Sequence, residues 1–180
     1  MKPYNLYGLT KEFKPKVEEL LALCAESGYL MRPYYTLRTP FEQAKLWRQS
    51  RTMDEIIHKM SALRIDNARF LADCISVVGP QYGRKVTNAI PGLSWHQYGE
   101  AVDCFWVIDG GSEWSTRLKV NGINGYHNYA KIAKKMGLTC GGSWKSRDYN
   151  HVQLSSHSSP QKCFTLREID EKMASIYSDQ

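Results

Sequence analysis

The feature that most constrains the fold is an apolar run at positions 101–108 that contains a single carboxylate. The run reads Ala-Val-Asp-Cys-Phe-Trp-Val-Ile and lies between Gly99 and the turn sequence at 109–111. This composition is typical of a buried β-strand. Because side chains alternate across a strand, residues 101, 103, 105 and 107 share one face. An ionised Asp103 would cost several kcal/mol in such a segment unless it is paired or bound to a metal.

Two histidines near carboxylates suggest what binds there. His96 precedes the strand, and Gly99 permits a backbone turn that directs both ligands to one point. His151 begins a predicted short strand, and Asp148 stands three residues before it. Two imidazoles and one carboxylate are a common catalytic zinc set that leaves a fourth position for water. Zinc lowers the pKa of that water towards about 7, and Asp148 is placed to take its proton and hand it to a leaving amine.

Each of these residues also has an ordinary interpretation. An isolated histidine is more often a surface or hydrogen-bonded core residue, so His58, His127 and His157 receive no functional prediction. An aspartate in a strand more often forms an ion pair, and Asp148 alone could be an exposed acid. Metal chemistry is the preferred hypothesis because the spacings hold at two distant places in the chain.

The rest of the pattern predicts a mixed α+β domain. Thr39, Pro40 and Glu42 have the chemistry of a helix start, and that helix runs to about Ser50. Further helices are predicted at 13–28, 54–76, 125–136 and 165–177, and strands at 29–37 with a break at Pro33, at 100–108 and at 151–154. Glycines and prolines predict a loop at 79–93. We expect one domain, 1–180, without a separate cell-wall-binding domain.

Composition excludes several classes of protein. The chain has 180 residues and a formal net charge of +6, but it contains no block of like charges and no nucleic-acid-binding motif. Five cysteines without C-x-x-C spacing argue against a disulfide framework, and we expect most of them to be reduced and buried. No apolar run has the length of a signal peptide or a membrane span, so we expect no stable membrane insertion and synthesis in a cytoplasm.

Two motifs carry a resemblance to a known family. The S-x-H-x-x-G-x-A-x-D segment at 94–103 and the G-G-x-W-x-x-x-D-x-x-H segment at 141–151 resemble the zinc D-alanyl-D-alanine carboxypeptidase family. Within it, the chain is most similar to the L-alanyl-D-glutamate peptidases that serve as bacteriophage endolysins. Residues 37–47 are similar to the family's R-T-x-x-x-Q-x-x-L stretch, and 86–92 to the run before the first metal motif. The resemblance covers roughly residues 28–154.

The resemblance implies a hedgehog/D,D-peptidase-type fold with a small antiparallel sheet flanked by helices. It implies Zn²⁺ as the cofactor and Asp148 as the catalytic base. It also implies that Arg38 binds a carboxylate or polarises the scissile carbonyl, although Arg38 could instead form a surface ion pair with Glu42. The zinc ligands it implies are His96, Asp103 and His151, and the residues that line the substrate cleft are Ser94 and Gln43.

The implied function is hydrolysis of the L-Ala–D-Glu bond of the peptidoglycan stem peptide by a monomeric endolysin. Such an enzyme would stay in the host cytoplasm until a holin opens the membrane. Val152 and Gln153 depart from the aromatic and the acid that relatives often carry after the last histidine, which leaves the substrate subtype open. The alternatives are a D-alanyl-D-alanine carboxypeptidase with the same zinc chemistry and a non-catalytic zinc domain that binds the wall.

Overall fold

A computed structural model describes residues 5–178. In this part of the chain, helices and a small antiparallel sheet alternate irregularly, which confirms the α+β class. The strands are β1 (Met31–Tyr35), β2 (Ala101–Ile108), β3 (Gly111–Glu113), β4 (Thr139–Cys140) and β5 (His151–Gln153). The α-helices are α1 (Phe13–Glu26), α2 (Pro40–Arg48), α3 (Met53–Ile65), α4 (Arg69–Val77), α5 (Gly125–Lys135) and α6 (Leu166–Tyr177). Short 3₁₀-helices cover Trp95–Tyr98, Gly141–Ser143 and Pro160–Lys162.

The described part of the chain divides into two compact units, each with most of its contacts within itself. The first unit comprises the described residues up to 37 together with 98–156, and the second comprises 38–97 and the described residues from 157 onward. The first contains the whole sheet with α1 and α5, and the second contains α2, α3, α4 and α6.

The sheet of the first unit has the order β1-β2-β5-β4, and β3 pairs with β2 through the turn at 109–110. All pairings are antiparallel. Val102, Cys104 and Trp106 belong to a buried core that includes residues of α1 and α5. The residues between them in β2 therefore face the opposite side of the sheet, as the alternation predicts. Asp103 lies on that opposite side.

Pro33 does not break the first strand, so the predicted break is wrong. β1 runs through Pro33, and the register with β2 becomes irregular only between Pro33 and Tyr35. Since β1 is the first strand in the sheet order, its outer edge has no partner strand among the described residues. A proline, which has no N–H to donate, is tolerated at such an edge.

The second unit shows clear helix caps. Thr39 and Glu42 form a capping box at the start of α2, as the sequence predicts, and the same box recurs at α3 and α6. The predicted helical stretch at 54–76 is two helices, because Asn67 adopts φ 57° between α3 and α4. The N-cap residue of α4, Ala68, makes no side-chain cap, and the buried Asp170 of α6 accepts a hydrogen bond from the Leu71 N–H at 2.8 Å instead.

The cysteines are mostly buried, as the sequence predicts. All five cysteines are free thiols, and only Cys163 is exposed. Burial raises the pKa of the Cys24 thiol to about 12, so this group is inert as a nucleophile at neutral pH. Among the described helices, none is both long enough and apolar enough to cross a bilayer.

Candidate metal centre

The antiparallel pairing of β2 with β5 brings Asp103 opposite His151. Their side chains meet with 3.0 Å between the Asp103 Oδ1 and the His151 Nδ1. Both residues are buried, with 8% of Asp103 and 7% of His151 exposed. The carboxylate that the sequence places in an apolar strand is therefore compensated by an imidazole, as the cost of burying a charge requires.

Gln153 contacts the other nitrogen of the His151 ring, Nε2. It lies two residues further along β5, and its Oε1 is 3.0 Å from the His151 Nε2. The Gln153 amide nitrogen donates to the Ser155 carbonyl at 2.7 Å, which orients the Oε1 towards the imidazole. A carbonyl oxygen only accepts, so the His151 Nε2 carries a proton and donates to it. Nδ1 then remains as the nitrogen that faces Asp103 and can bind a metal.

The surroundings of His151 shift its pKa in two opposite directions. Burial alone would lower the pKa of His151. The hydrogen bond to Asp103 and the negative charges of Asp103 and Asp148 outweigh burial, so the pKa is raised above its ordinary value. A metal that binds through this imidazole competes with a proton for it.

His96 is carried by the 3₁₀-helix Trp95–Tyr98, which is tightly anchored. The Gln97 Oε1 accepts a hydrogen bond from the Gly92 N–H at 2.6 Å, and the Tyr177 hydroxyl donates to the Gln97 carbonyl at 3.0 Å. Just after the helix, Gly99 has φ +67°, and a Cβ there would overlap the Gly8 carbonyl oxygen. The backbone turn predicted at Gly99 is confirmed, and glycine is required for it.

The three predicted ligands form a set that could hold a metal. His96 in the second unit and Asp103 and His151 in the first offer two imidazoles and one carboxylate as possible ligands. Two imidazole nitrogens and one carboxylate oxygen match the donors that catalytic zinc prefers. The buried carboxylate adds a negative charge that a divalent cation would neutralise. These residues fit Zn²⁺.

Asp148 lies at the end of a tight loop before β5. Its backbone N–H donates to the Gly141 carbonyl at 2.9 Å, and its own carbonyl accepts from the His151 N–H at 3.4 Å. A Cβ on Gly141 would come within 2.5 Å of the Asp148 carbonyl oxygen, so the predicted glycine turn lets the loop close. The Asp148 side chain is exposed, and solvent can reach it.

Arg38 and Gln43 interact directly. The Arg38 Nη1 donates to the Gln43 Oε1 at 3.0 Å, and the Gln43 amide nitrogen donates to the Ala89 carbonyl at 2.7 Å. Gln43 is completely buried, so in this structure it fixes Arg38, and its contact with substrate stays a prediction. The carboxylate of Glu42, the alternative partner of Arg38, serves the capping box. Ser94 is half-buried, and its carbonyl accepts from the Gln97 N–H at 3.0 Å.

The contact between Gln153 and His151 was not predicted from the sequence, where Gln153 stands out only as a departure from relatives. It could have been predicted, because residues two apart in a strand share a face. His127, Arg117 and Arg147 line a cavity of about 560 Å³ together with Asp148. The spacing of residues along the sequence does not predict this cavity, because its lining residues come from three separate segments.

Comparison with known proteins supports this reading of the two motifs. Residues 87–154 match the family model described as D-alanyl-D-alanine carboxypeptidase. The peptidoglycan L-alanyl-D-glutamate endopeptidase CwlK of Bacillus subtilis is 36% identical over 76 residues, which cover 40% of this chain and 46% of CwlK. The chain thus matches less than half of the length of this curated relative.

Two solved structures are similar at lower identity. One is the L-Ala D-Glu endopeptidase ChiX of Serratia marcescens, with 18% identity, a TM-score of 0.42 and 84% of each chain covered. The other is a mutant of the vancomycin resistance D,D-pentapeptidase VanY from a VanB-type cassette in complex with Zn(II). It has 15% identity and a TM-score of 0.46, with 93% of this chain and 87% of that chain covered. Both likenesses are distant, so the assignment depends on the sequence match. Residues 87–154, which carry His96, Asp103, Asp148 and His151, are thus similar to the D-alanyl-D-alanine carboxypeptidase family.

Proposed function

We propose that the chain is a zinc-dependent peptidoglycan hydrolase that cleaves the bond between L-alanine and D-glutamate in the stem peptide. The observation that carries the proposal is the buried Asp103–His151 pair with Asp148 three residues before His151, inside the segment that matches the family. The name of CwlK as an L-alanyl-D-glutamate endopeptidase supports the choice of bond.

Asp148 is the residue that moves protons in this proposal. When bound, zinc supplies a more acidic water and polarises a carbonyl. Asp148 accepts one proton from the attacking water and returns it to the amine that leaves. One water is consumed, the C–N bond breaks, and the products are a carboxylate on the acyl side and a free amine. The exposed side chain of Asp148 allows this exchange without an unpaired charge being buried.

Arg38 orients the substrate. Its guanidinium donates to the buried Gln43 side chain at 3.0 Å, so the protein itself fixes the direction of this group. A planar fork of donors suits a carbonyl or carboxylate oxygen better than an ammonium would. We propose that Arg38 polarises the acyl carbonyl or pairs with a substrate carboxylate, and that Ser94 lines the same site.

An endolysin role is part of the proposal. The net charge of +6 favours attachment to a cell wall that carries acidic stem peptides. Expression in a susceptible bacterium should leave cells intact until a holin is co-expressed, and lysis should then follow within minutes. Cells that remain intact with the holin would contradict the lytic role while leaving the peptidase activity open to assay.

Mass spectrometry of digested peptidoglycan tests the activity. We expect products with a new N-terminal D-glutamate, and we expect a zinc chelator to abolish them. The rival activity, D-alanyl-D-alanine carboxypeptidase, is favoured by the description of the matching family. Release of free D-alanine without new N-terminal D-glutamate would establish the rival, and a lack of any product would point to a non-catalytic wall-binding domain.

A further inference from the structure

Three aromatic side chains form a cluster around Phe105, which shares its face of β2 with Asp103. Tyr34 belongs to β1, and Trp114 directly follows β3. The distances between ring centroids are 6.3 Å for Tyr34–Phe105, 5.6 Å for Phe105–Trp114 and 5.1 Å for Tyr34–Trp114. Each ring thus contacts the other two. We call this cluster the aromatic platform, and it lies wholly in the first unit.

The aromatic platform exposes apolar surface that a role in packing alone would bury. Tyr34 is 46% exposed and Trp114 is 49% exposed, while Phe105 is half-buried. The hydrophobic core of the first unit lies on the other face of β2, where Cys104 and Trp106 are buried. A contiguous patch of exposed large apolar side chains marks a binding surface more often than a single exposed residue does.

The backbone of the first unit positions the two outer rings. The Glu113 carbonyl, next to Trp114, accepts a hydrogen bond from the hydroxyl of the completely buried Tyr126 at 2.7 Å. Tyr34 lies where the register of β1 with β2 is irregular, and an irregularity of this kind redirects a side chain. Rings that the fold itself positions lose less entropy when a ligand binds.

The aromatic platform is continuous with the proposed catalytic residues. Phe105 follows Asp103 by two residues in β2, so their side chains leave the same face about 7 Å apart. Trp114 and Asp148 line the same cavity of about 560 Å³. A substrate whose scissile bond lies beside Asp103 and Asp148 therefore meets the platform within about two residue lengths of that bond.

We propose, on the basis of the proposed L-Ala–D-Glu cleavage, that the aromatic platform binds the N-acetylmuramic acid ring to which the stem peptide is attached. In peptidoglycan the amine of L-alanine is joined to the lactyl group of this sugar. L-Alanine and the lactyl group each have the length of about one residue, so the sugar ring begins about 7 Å from the scissile carbonyl. This distance matches the separation of Asp103 and Phe105 along β2.

The chemistry of the three rings suits a sugar. A pyranose chair presents C–H groups on its two faces, and its hydroxyl and acetamido groups project around its edge. Aromatic rings cover such C–H surface as they cover other apolar surface. Tyr34 and Trp114 also carry a hydroxyl and an indole N–H, so each combines an apolar body with a polar group for the edge of the sugar.

The position of the platform separates the two candidate bonds. When a D-Ala–D-Ala bond is cleaved, four residues and the lactyl group lie between the scissile carbonyl and the sugar, a length of about 17 Å. An extended stem peptide then carries its sugar beyond the platform. We therefore expect the sugar to increase the rate of L-Ala–D-Glu cleavage and to have no effect on D-Ala–D-Ala cleavage.

Two substrates that differ only in the sugar test the inference. They are N-acetylmuramyl-L-Ala-D-γ-Glu-L-Lys and N-lactoyl-L-Ala-D-γ-Glu-L-Lys. The zinc-loaded enzyme should prefer the muramyl peptide roughly ten- to hundredfold in kcat/KM. Tyr34→Ala should reduce this preference at least about threefold, and the double variant Tyr34→Ala with Trp114→Ala should bring it close to one.

Two control variants separate the platform from general effects of losing a tyrosine. Tyr34→Phe keeps the ring, so most of the preference should remain. Tyr82→Ala removes a side chain that is 89% exposed and lies in the second unit, so the preference should be unchanged.

A binding measurement on the parent protein gives a readout that depends neither on variants nor on turnover. N-Acetylmuramyl-L-alanine, the acyl product of the proposed reaction, should shift the NMR resonance of the Trp114 indole N–H. N-Lactoyl-L-alanine, which has no sugar, should leave this resonance in place.

The outcomes distinguish the platform from the function on which it rests. Equal kcat/KM for the two peptides, or a preference that survives the double alanine variant, would overturn the platform and leave the peptidase intact. Cleavage of neither peptide, with a sugar-dependent shift of Trp114, would contradict the proposed bond and support the platform. A Tyr34→Ala protein that changes only its oligomeric state in sedimentation velocity would assign the cluster to a contact between copies and overturn the inference.

Discussion

Asp103 and His151 stand directly opposite each other in the antiparallel β2–β5 pair, with 3.0 Å between the Oδ1 and the Nδ1. The backbone pairing of β2 with β5 thus positions the two side chains. Each side chain offsets the free-energy cost of burying the other. The pair is buried and hydrogen-bonded, so it has consequences for stability as well as for metal binding.

Removing the carboxylate of this pair should destabilise the metal-free protein. Asp103→Ala leaves His151 buried without its acceptor, and breaking a buried pair costs about 3 kcal/mol. Asp103→Asn keeps the shape and an oxygen, so it should cost less. Urea unfolding in the presence of a chelator measures both variants. Equal midpoints for the parent protein and Asp103→Ala would show that the pair contributes nothing.

Replacing the proposed base should separate catalysis from folding. Asp148→Asn should lower the cleavage rate by roughly 10² to 10⁴-fold because no group then accepts the proton of the attacking water. Since the side chain is exposed, the free energy of unfolding should change by less than about 0.5 kcal/mol. Asp54→Asn, an equal change of charge on α3, serves as the control. A rate for Asp148→Asn within twofold of that control would exclude Asp148 as the base.

The Arg38–Gln43 contact should matter for substrate binding through orientation. Gln43→Leu removes the acceptor of Arg38 and leaves the Ala89 carbonyl without its donor. An unsatisfied buried polar group costs about 1–3 kcal/mol, so stability and kcat/KM should both fall. Gln43→Glu keeps the acceptor for Arg38, so it should recover part of kcat/KM. If Gln43→Leu leaves KM and kcat unchanged, the positioning role is wrong.

The raised pKa of His151 predicts a pH dependence for the metal-free protein. A histidine whose pKa is raised on folding adds stability that is fully present below its unfolded pKa of about 6.5. That stability is lost as the pH rises through the folded pKa. Comparing unfolding of the parent protein with His151→Gln, in chelator, isolates this contribution. The parent protein should lose its stability advantage over His151→Gln as the pH rises. An advantage that grows with pH would contradict this prediction.

Much of the fold was predictable because local patterns decided it. The alternation of β2 identified both the core face and the face of Asp103, and the Thr39–Glu42 capping box marked the start of α2. The break between α3 and α4 was missed because Asn67 interrupts the helix while the apolar spacing continues on both sides. Pro33 was misread because the sequence does not reveal which strand lies at the sheet edge.

The site was predictable only where chemistry and spacing coincide. His96, Asp103 and His151 were predicted as ligands because a buried carboxylate between two histidines has few explanations, and the structure pairs Asp103 with His151. The burial of Gln43 was not foreseen, because a polar side chain next to a helix cap gives no sign of the carbonyl it will satisfy. The cavity lined by Arg117, His127, Arg147 and Asp148 could not be predicted for the same reason, because Asn124 joins two of its segments through tertiary hydrogen bonds.

The most direct test of the metal centre is the zinc content of the purified protein, measured by inductively coupled plasma mass spectrometry. We expect about one zinc ion per chain in the parent protein and in Asp148→Asn. We expect almost none in His96→Ala, Asp103→Ala or His151→Ala. Stoichiometric zinc in His151→Ala, or a parent protein that takes up no zinc when it is supplied, would contradict the account.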